Sequence, residues 1–247
     1  MKKLFLLMLM ALPFVFTSCS DDDDEDNGIK IKNSKIEMVA GDSEQINVTS
    51  DLSLSYTSED EYYATVSSTG VITAKRVGET NIIVTNAEAA AKVSVIVSPK
   101  YTTYPDPDFM FGETRSNVIK KHGTPDTETD DAVLYDGYST KAPIIIYTFD
   151  ASNKVSGVGV MIGTTYTEEL AAFLAERYVM LEGTGNMALV GFDHLDEDKA
   201  TMGLAVSLYN TSYWTVLYVP YSGTTKKSMK MSMDMDSFKA IADDLLK

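Results

Sequence analysis

One cysteine and two histidines are all that this chain of 247 residues offers for thiol chemistry, imidazole proton transfer or soft-metal ligation. Cys19 lies between an apolar run and a block of acids. His122 stands in His122-Gly123-Thr124-Pro125, a sequence that ends helices and places a cation beside the last carbonyls. His194 is set in Asp193-His194-Leu195-Asp196-Glu197-Asp198. A carboxylate next to a histidine is the pairing that orients a general base or starts a metal cluster. Neither follows here. A zinc site takes three or four spaced ligands, and the chain has no His-x-x-x-His. The His194 stretch falls between two extended segments, where charged residues face water. No nucleophile, base and orienter can be assembled, so the sequence reads as non-enzymatic, without cofactor or metal.

The surroundings of Cys19 give it another use. Met1-Lys2-Lys3 is followed by an apolar run from Leu4 to Phe16, the layout of a secretory signal over residues 1–18. Those 13 residues are too few for a helix that crosses the hydrocarbon core, which needs about 20. A disulfide is excluded within the chain because no second cysteine exists. Phe16-Thr17-Ser18-Cys19 resembles the lipobox of bacterial lipoproteins, with Phe16 where that family usually has leucine. The resemblance implies that Cys19 carries the lipid, such as palmitate, as the first residue of the mature chain. Each buried methylene adds about 0.8 kcal/mol, and stable anchoring takes more than one acyl chain. Ser20 and the six acids from Asp21 to Asp26 then form a self-repelling tether over residues 19–29. This run is similar to the acidic export tag of Bacteroidetes surface lipoproteins, which implies display at the cell surface. Asp23-x-Glu25-x-Asn27-Gly28 partly resembles an EF-hand calcium loop. Ile31 and Ser34 fall where the ninth and twelfth ligands belong, so the bidentate glutamate is missing.

The net charge of −15 becomes −17 without Lys2 and Lys3, and −11 once the six acids are also set aside. That balance argues against nucleic acid and anionic lipid surfaces, both of which call for a basic patch. At 44% apolar residues the chain can build a core without disulfides or metals.

Residues 30–99 alternate polar and apolar in short runs with turns between them. Lys35 to Val39, Glu44 to Val48, Val71 to Ala74, Ile82 to Val84 and Lys92 to Val97 read as strands, the last with Val93, Val95 and Val97 on one face. About seven strands in some 70 residues predict a small β-sandwich. The order Thr57-Ser58-Glu59-Asp60, Ala64-Thr65-Val66-Ser67, Gly70-Val71-Ile72-Thr73-Ala74 and Gly78-Glu79-Thr80-Asn81-Ile82 resembles the group 2 bacterial immunoglobulin-like domain. It implies a stalk or adhesion module with Val66, Val71 and Ile82 in the core. Tyr62-Tyr63 reads as packing on a sandwich face, with an exposed contact pair as the alternative.

Residues 100–110, rich in Pro, Asp and Thr, read as a linker with few contacts across it. Beyond it the pattern predicts a helix capped by Thr114 and stopped at Gly123, then strands near Ala132–Tyr135, Ile144–Phe149 and Val155–Ile162. Gly163-Thr164-Thr165 repeats Gly112-Glu113-Thr114, and Thr165 to Glu168 has the form of a capping box. Leu170, Phe173, Leu174 and Tyr178 form the second helical stripe, and strands follow near Met187–Asp193, Ala200–Tyr209 and Trp214–Val219. The expected fold is thus multidomain: an all-β immunoglobulin-like sandwich, then an α+β domain (111–223) of two tandem helix-plus-β-meander repeats, helices on one sheet face. A segment at 224–247 ends in an amphipathic helix with Met235, Phe238, Ile241, Ala242 and Leu245 on its stripe. The Gly-x-Thr…Val-Ile…Gly-Thr-Pro pattern resembles SmpA/OmlA-type outer-membrane assembly lipoproteins, and the duplicated form resembles the β-lactamase inhibitory protein fold. Both resemblances imply protein binding without an active site.

Strand parity points to a surface. Val158, Val160, Met202, Leu204 and Val206 make one sheet face bulky, while Gly157, Gly159 and Ala205 leave the other smooth. Trp214 and Tyr218, with Tyr209, are expected as aromatic anchors at the edge of that smooth, open face; the alternative is that Trp214 packs under the C-terminal helix or against the first domain. The reading is a lipid-anchored outer-membrane protein displayed on the cell surface that binds a protein or glycan. A periplasm-facing structural or assembly lipoprotein is the alternative, and a hydrolase using the His194 region is the weaker one.

Overall fold

The computed structural model describes residues 28–183, 185–221 and 234–247. The leader, Cys19, the acids of the tether and the first part of the calcium-like loop lie outside the described residues, as do residues 222–233 of the C-terminal segment.

The first unit contains β1 (Lys30–Ile31), β2 (Lys35–Val39), β3 (Ser43–Gln45), β4 (Val48–Thr49), β5 (Ser55–Ser58), β6 (Ala64–Val66), β7 (Val71–Ala74), β8 (Gly78–Thr85) and β9 (Ala90–Ser98). A four-stranded sheet in the order β2-β9-β8-β5 faces a three-stranded sheet, β3-β7-β6, and β1 pairs with β4. Ile36, Ile72, Ile82, Val93 and Val95 are buried from both sheets, as alternation along half-buried strands requires. This is an immunoglobulin-like sandwich. Two details depart from the sequence reading. Glu44 to Val48 is split, because β3 pairs with β7 while β4 pairs with β1. In β7 it is Ile72 and Ala74 that point inward, leaving Val71 half-buried. All of Val-Ile-Thr-Ala can pass as apolar, so the sequence there does not declare its phase. Gly78, at φ +141°, leaves room for the Tyr63 ring, which a Cβ would approach to 2.3 Å.

The second unit runs α1 (Arg115–His122), β10 (Thr127–Glu128), β11 (Ala132–Asp136), β12 (Ile144–Phe149), β13 (Val155–Gly163), α2 (Thr167–Ala175), β14 (Val179–Glu182), β15 (Leu189–Phe192), β16 (Met202–Leu208), β17 (Tyr213–Pro220) and α3 (Met235–Leu245). Its strands form one antiparallel sheet in the order β10-β11-β12-β13-β17-β16-β15-β14. The central strands are covered on both faces, which is why all six residues of β12 are buried.

Thr114 caps α1 by accepting from the Asn117 N–H, and Gly123 at φ +91° ends it. The capping box expected at Thr165–Glu168 is not formed. Thr164 donates through N and Oγ1 to the carbonyls of Ser212 and Thr211, which holds a 3-10 turn at Thr164–Tyr166, so α2 starts later with Tyr166 at its cap. Tyr178 lies past the end of α2 but stays buried in the same core.

Helices α1 and α2 cover the bulky face, where Val118, Phe173 and Leu174 meet Tyr147, Val160 and Leu204. The smooth face is not open. Met235, Phe238, Ala242 and Leu245 of α3 pack there against Leu134, Ile146, Met161 and Leu217. The small residues that read as a bare surface are the space that α3 fills. Residues 100–110 are likewise no free linker: Thr103 and Tyr104 are buried, and Tyr104 joins the core beneath α2.

Candidate binding surfaces

The residues just after α2 tie the two units together. The Glu176 carboxylate, 7% exposed, accepts from the N–H groups of Lys100 and Tyr101, both at 3.0 Å, and from Arg177 Nη1 at 2.7 Å. The Arg177 guanidinium stacks 3.8 Å from the Phe173 ring centre and donates from Nε to Asp106 at 2.9 Å. From the sandwich side, Val77 N donates to the Glu176 carbonyl at 2.8 Å and the Tyr62 hydroxyl to the Arg177 carbonyl at 2.5 Å. Tyr62 lies under the Arg76 guanidinium, 4.8 Å from it, and burial raises its phenol pKa. Tyr62 is therefore a contact residue, with the partner in its own chain. None of this junction was read from the sequence. A signal existed: only three arginines accompany eighteen lysines, and each covers an aromatic ring, Arg115 lying 4.5 Å above Phe149.

His122 and His194 have local partners. His122 Nε2 lies 3.1 Å from the Tyr147 hydroxyl, which itself donates to the Asp108 carbonyl at 2.9 Å. Burial holds the His122 pKa below its ordinary value, Lys121 adds to that effect, and Asp108 opposes it. His194 Nδ1 accepts from the Asp196 N–H at 2.9 Å inside its own turn. Asp193, the carboxylate that would orient it, instead accepts from Thr201 N and Oγ1 at 2.9 and 2.6 Å. Among the described residues no three His, Cys, Asp or Glu side chains stand together as metal ligands.

The three aromatics expected as anchors part company. Tyr218 is fully buried under α2, its hydroxyl 2.6 Å from that of Tyr104, and burial raises both phenol pKa values. It belongs to the core and offers no contact surface. The expected smooth face is the wrong one for it: the register sets Tyr218 opposite Val158 and Leu204, on the bulky face that the helices cover. Tyr209 lies on the α3 side, where its hydroxyl donates to Asp243 at 2.6 Å; burial, aided by that carboxylate, pushes its pKa up to about 12. Trp214 is half-buried at the end of the bulky face, opposite Ile162 and Leu208, and its Nε1–H donates to Thr167 Oγ1 at 2.8 Å. Leu208 beside it is 44% exposed. Lys141 closes the same end of the sheet, bonded to Glu169 at 2.6 Å and 5.6 Å from the Tyr166 ring centre. That bond to Lys141, ahead of a smaller contribution from Thr103, holds the Glu169 carboxyl below its usual pKa.

Because its ring is only partly covered, Trp214→Ala is expected to cost about 2 kcal/mol, short of the ~3–5 kcal/mol for a buried aromatic. That corresponds to a melting temperature lower by roughly 4–8 °C in a thermal scan. A loss above 4 kcal/mol would make it a core residue like Tyr218.

The architecture of the first unit, two facing sheets of short strands, is that of an immunoglobulin-like domain. Residues 28–97 match the bacterial Ig-like domain (group 2) family, so this part of the chain is a domain of that kind. No curated protein matches the chain. Among solved structures, an intimin mutant of EHEC O157:H7 is 17% identical at a TM-score of 0.25, the match covering 43% of this chain and 62% of the intimin. Domains 5–6 of the S-layer protein SbsC are 15% identical over 80% of this chain and 97% of theirs, at 0.26. Bacteroides ovatus SGBP-B, from a mixed-linkage glucan utilization locus and solved with a mixed-linkage heptasaccharide, is 12% identical over 83% of this chain and 62% of its own, at 0.23. Overlaps this slight carry no argument about a site. No helix among the described residues is long and apolar enough to cross a membrane.

Proposed function

We propose that the chain is a non-catalytic binding or adhesion lipoprotein of the outer membrane, displayed on the cell surface and anchored through Cys19. The observation that carries this reading is the group 2 bacterial Ig-like domain at residues 28–97, a spacer-type sandwich directly after the acidic tether. In the second unit a helix followed by four strands occurs twice, and β13 and β17 meet at the middle of the sheet. We read this as a tandem duplication, in keeping with the resemblance to SmpA/OmlA-type lipoproteins and the β-lactamase inhibitory protein fold. Its ligand is a protein or glycan, and the half-buried Trp214 with exposed Leu208 is the contact corner. The net charge of −15 supports a ligand other than nucleic acid.

The anchor has a direct test. Cys19→Ala is expected to lose its lipid anchor, becoming soluble or staying as an uncleaved precursor, with its folded units unchanged by circular dichroism. Processed Cys19→Ala protein that still pellets with membranes after an alkaline wash would overturn the lipid anchor.

A further inference from the structure

The eight-stranded sheet ends in two edges that differ in kind. β10 is two residues long and is followed by Asp130 and Asp131, a short charged edge that discourages pairing. β14 reads Val-Met-Leu-Glu, and among the described residues no strand lies beyond it. It has no proline, no lysine and no bulge to block a further strand. Its hydrogen-bonding phase follows from its neighbours. Asp193 N donates to the Met202 carbonyl at 3.3 Å, so odd-numbered residues of β15 bond to β16, and Val190 and Phe192 bond to β14. Gly183 N donates to the Ala188 carbonyl at 3.1 Å, in the same phase. Val179 and Leu181 therefore turn their main-chain groups inward, while those of Met180 and Glu182 point away from the sheet. The Leu181 side chain shares the α3 side with Val190 and Ala205 and is 49% exposed.

Two outward residues with one between them make a self-complementary edge. Set antiparallel about a twofold axis at Leu181, Met180 of one copy meets Glu182 of the other, and all four outward groups of each chain are bonded. The two Leu181 side chains then cover each other. A register with Glu182 on Glu182 would instead set like charges opposite. We infer that β14 is a homophilic edge, pairing with β14 of a second copy of this chain to continue the sheet across two molecules. The pairing has a direction. β14 starts beside the sandwich, because the Arg177 carbonyl two residues earlier accepts from the Tyr62 hydroxyl. An antiparallel partner places its own sandwich at the opposite end. Within the sandwich, the Gly28 carbonyl accepts from Asn86 past the end of β8, while Val77, just before β8, meets Glu176. The eight residues of β8 separate these points by about 23 Å, so the acidic tether enters at the pole remote from the second unit. Resting on the proposed surface display, the two tethers of a pair leave at opposite ends, and the contact joins facing surfaces. Four residues a side fall short of the roughly 1,200 Å² of a stable dimer, so the pairing is weak and a covalent trap reads it.

In the full chain carrying Cys19→Ala, Leu181→Cys and Glu182→Cys each supply a single thiol. Mild oxidation is expected to give at least ten times more disulfide dimer from Leu181→Cys, whose Cβ atoms lie about 5 Å apart across the axis. At Glu182→Cys the Cα atoms stay beyond the ~7 Å that a disulfide spans. Glu182→Pro added to Leu181→Cys removes only an outward N–H, which an edge strand tolerates, and is expected to cut the dimer at least tenfold. The two cysteine variants decide the matter even if the proline variant unfolds. No dimer from Leu181→Cys, or equal dimer from both positions, would overturn the inference. So would a Leu181→Cys chain closed to maleimide, which would mean that another segment covers the edge. Two cell populations carrying the Leu181→Cys chain under different tags are expected to give mixed-tag dimers after mixing. Dimers in solution without mixed-tag dimers would overturn the facing arrangement while leaving the edge pairing in place.

Discussion

Replacing Glu176 with alanine is expected to cost about 3–5 kcal/mol, the range for breaking a buried ion pair by removing one partner. The Glu176 and Arg177 side chains are only 7% and 9% exposed, so water does not readily replace the lost carboxylate. The N–H groups of Lys100 and Tyr101 lose their acceptor in the same step, and each buried donor left without one costs about 1–3 kcal/mol. Asp106, 62% exposed, is the other anionic partner of Arg177, and Asp106→Ala is expected to cost less than about 1 kcal/mol. Urea unfolding of the two variants gives the comparison directly. Protease should also cut the Glu176→Ala chain near Lys100 to Asp108 at concentrations that spare the wild type, because Glu176 ties that segment to α2. Equal stability of the two variants would mean that the junction is an incidental contact.

Tyr218→Ala is expected to be as severe, about 3–5 kcal/mol, because a fully buried ring leaves a cavity that the sheet cannot close. Tyr218→Phe separates the ring from its hydroxyl. It keeps the packing against Phe109 and Tyr178 but leaves the Tyr104 hydroxyl, on a side chain 3% exposed, without its partner at 2.6 Å. That orphaned group is expected to cost about 1–3 kcal/mol. Thermal scans should therefore rank Tyr218→Ala below Tyr218→Phe, and also below Trp214→Ala. A Tyr218→Ala protein as stable as Trp214→Ala would contradict the placement of Tyr218 beneath α2.

Much of the sandwich was legible because its signal is local. Val93, Val95 and Val97 share one face of a single strand, with Lys92, Ser94, Ile96 and Ser98 on the other, and no distant element is needed to say which side is inward. The same parity separated the bulky from the smooth face on β13 and β16, but β17 carries large residues on both sides, and only its register places Trp214, Val216 and Tyr218 on the bulky face. What parity does not contain is the identity of the cover. Gly159 looks like bare surface until Phe238, far along the chain, is placed over it. For the same reason Tyr218 read as an exposed anchor, since its strand neighbours give no sign that Tyr104 from the supposed linker lies beside it. Glu176 and Arg177 were hidden differently. Charges following a helix are usually solvated, and their burial comes from a sandwich whose contact residues, Tyr62 and Val77, lie a whole domain earlier. Trp214 was the intermediate case. Its strand could be assigned but not its face, which the register opposite Ile162 and Leu208 sets on the bulky side, with Thr167 accepting the indole N–H.

Surface display through Cys19 is the center of the functional account, and protease shaving of intact cells carrying the full-length protein tests it most directly. With a periplasmic marker as control, the account expects the Ig-like and C-terminal units to be lost from whole cells while the marker is spared. Cells that retain the full-length protein until their outer membrane is opened, and lose it then, would contradict surface display and place the protein facing the periplasm.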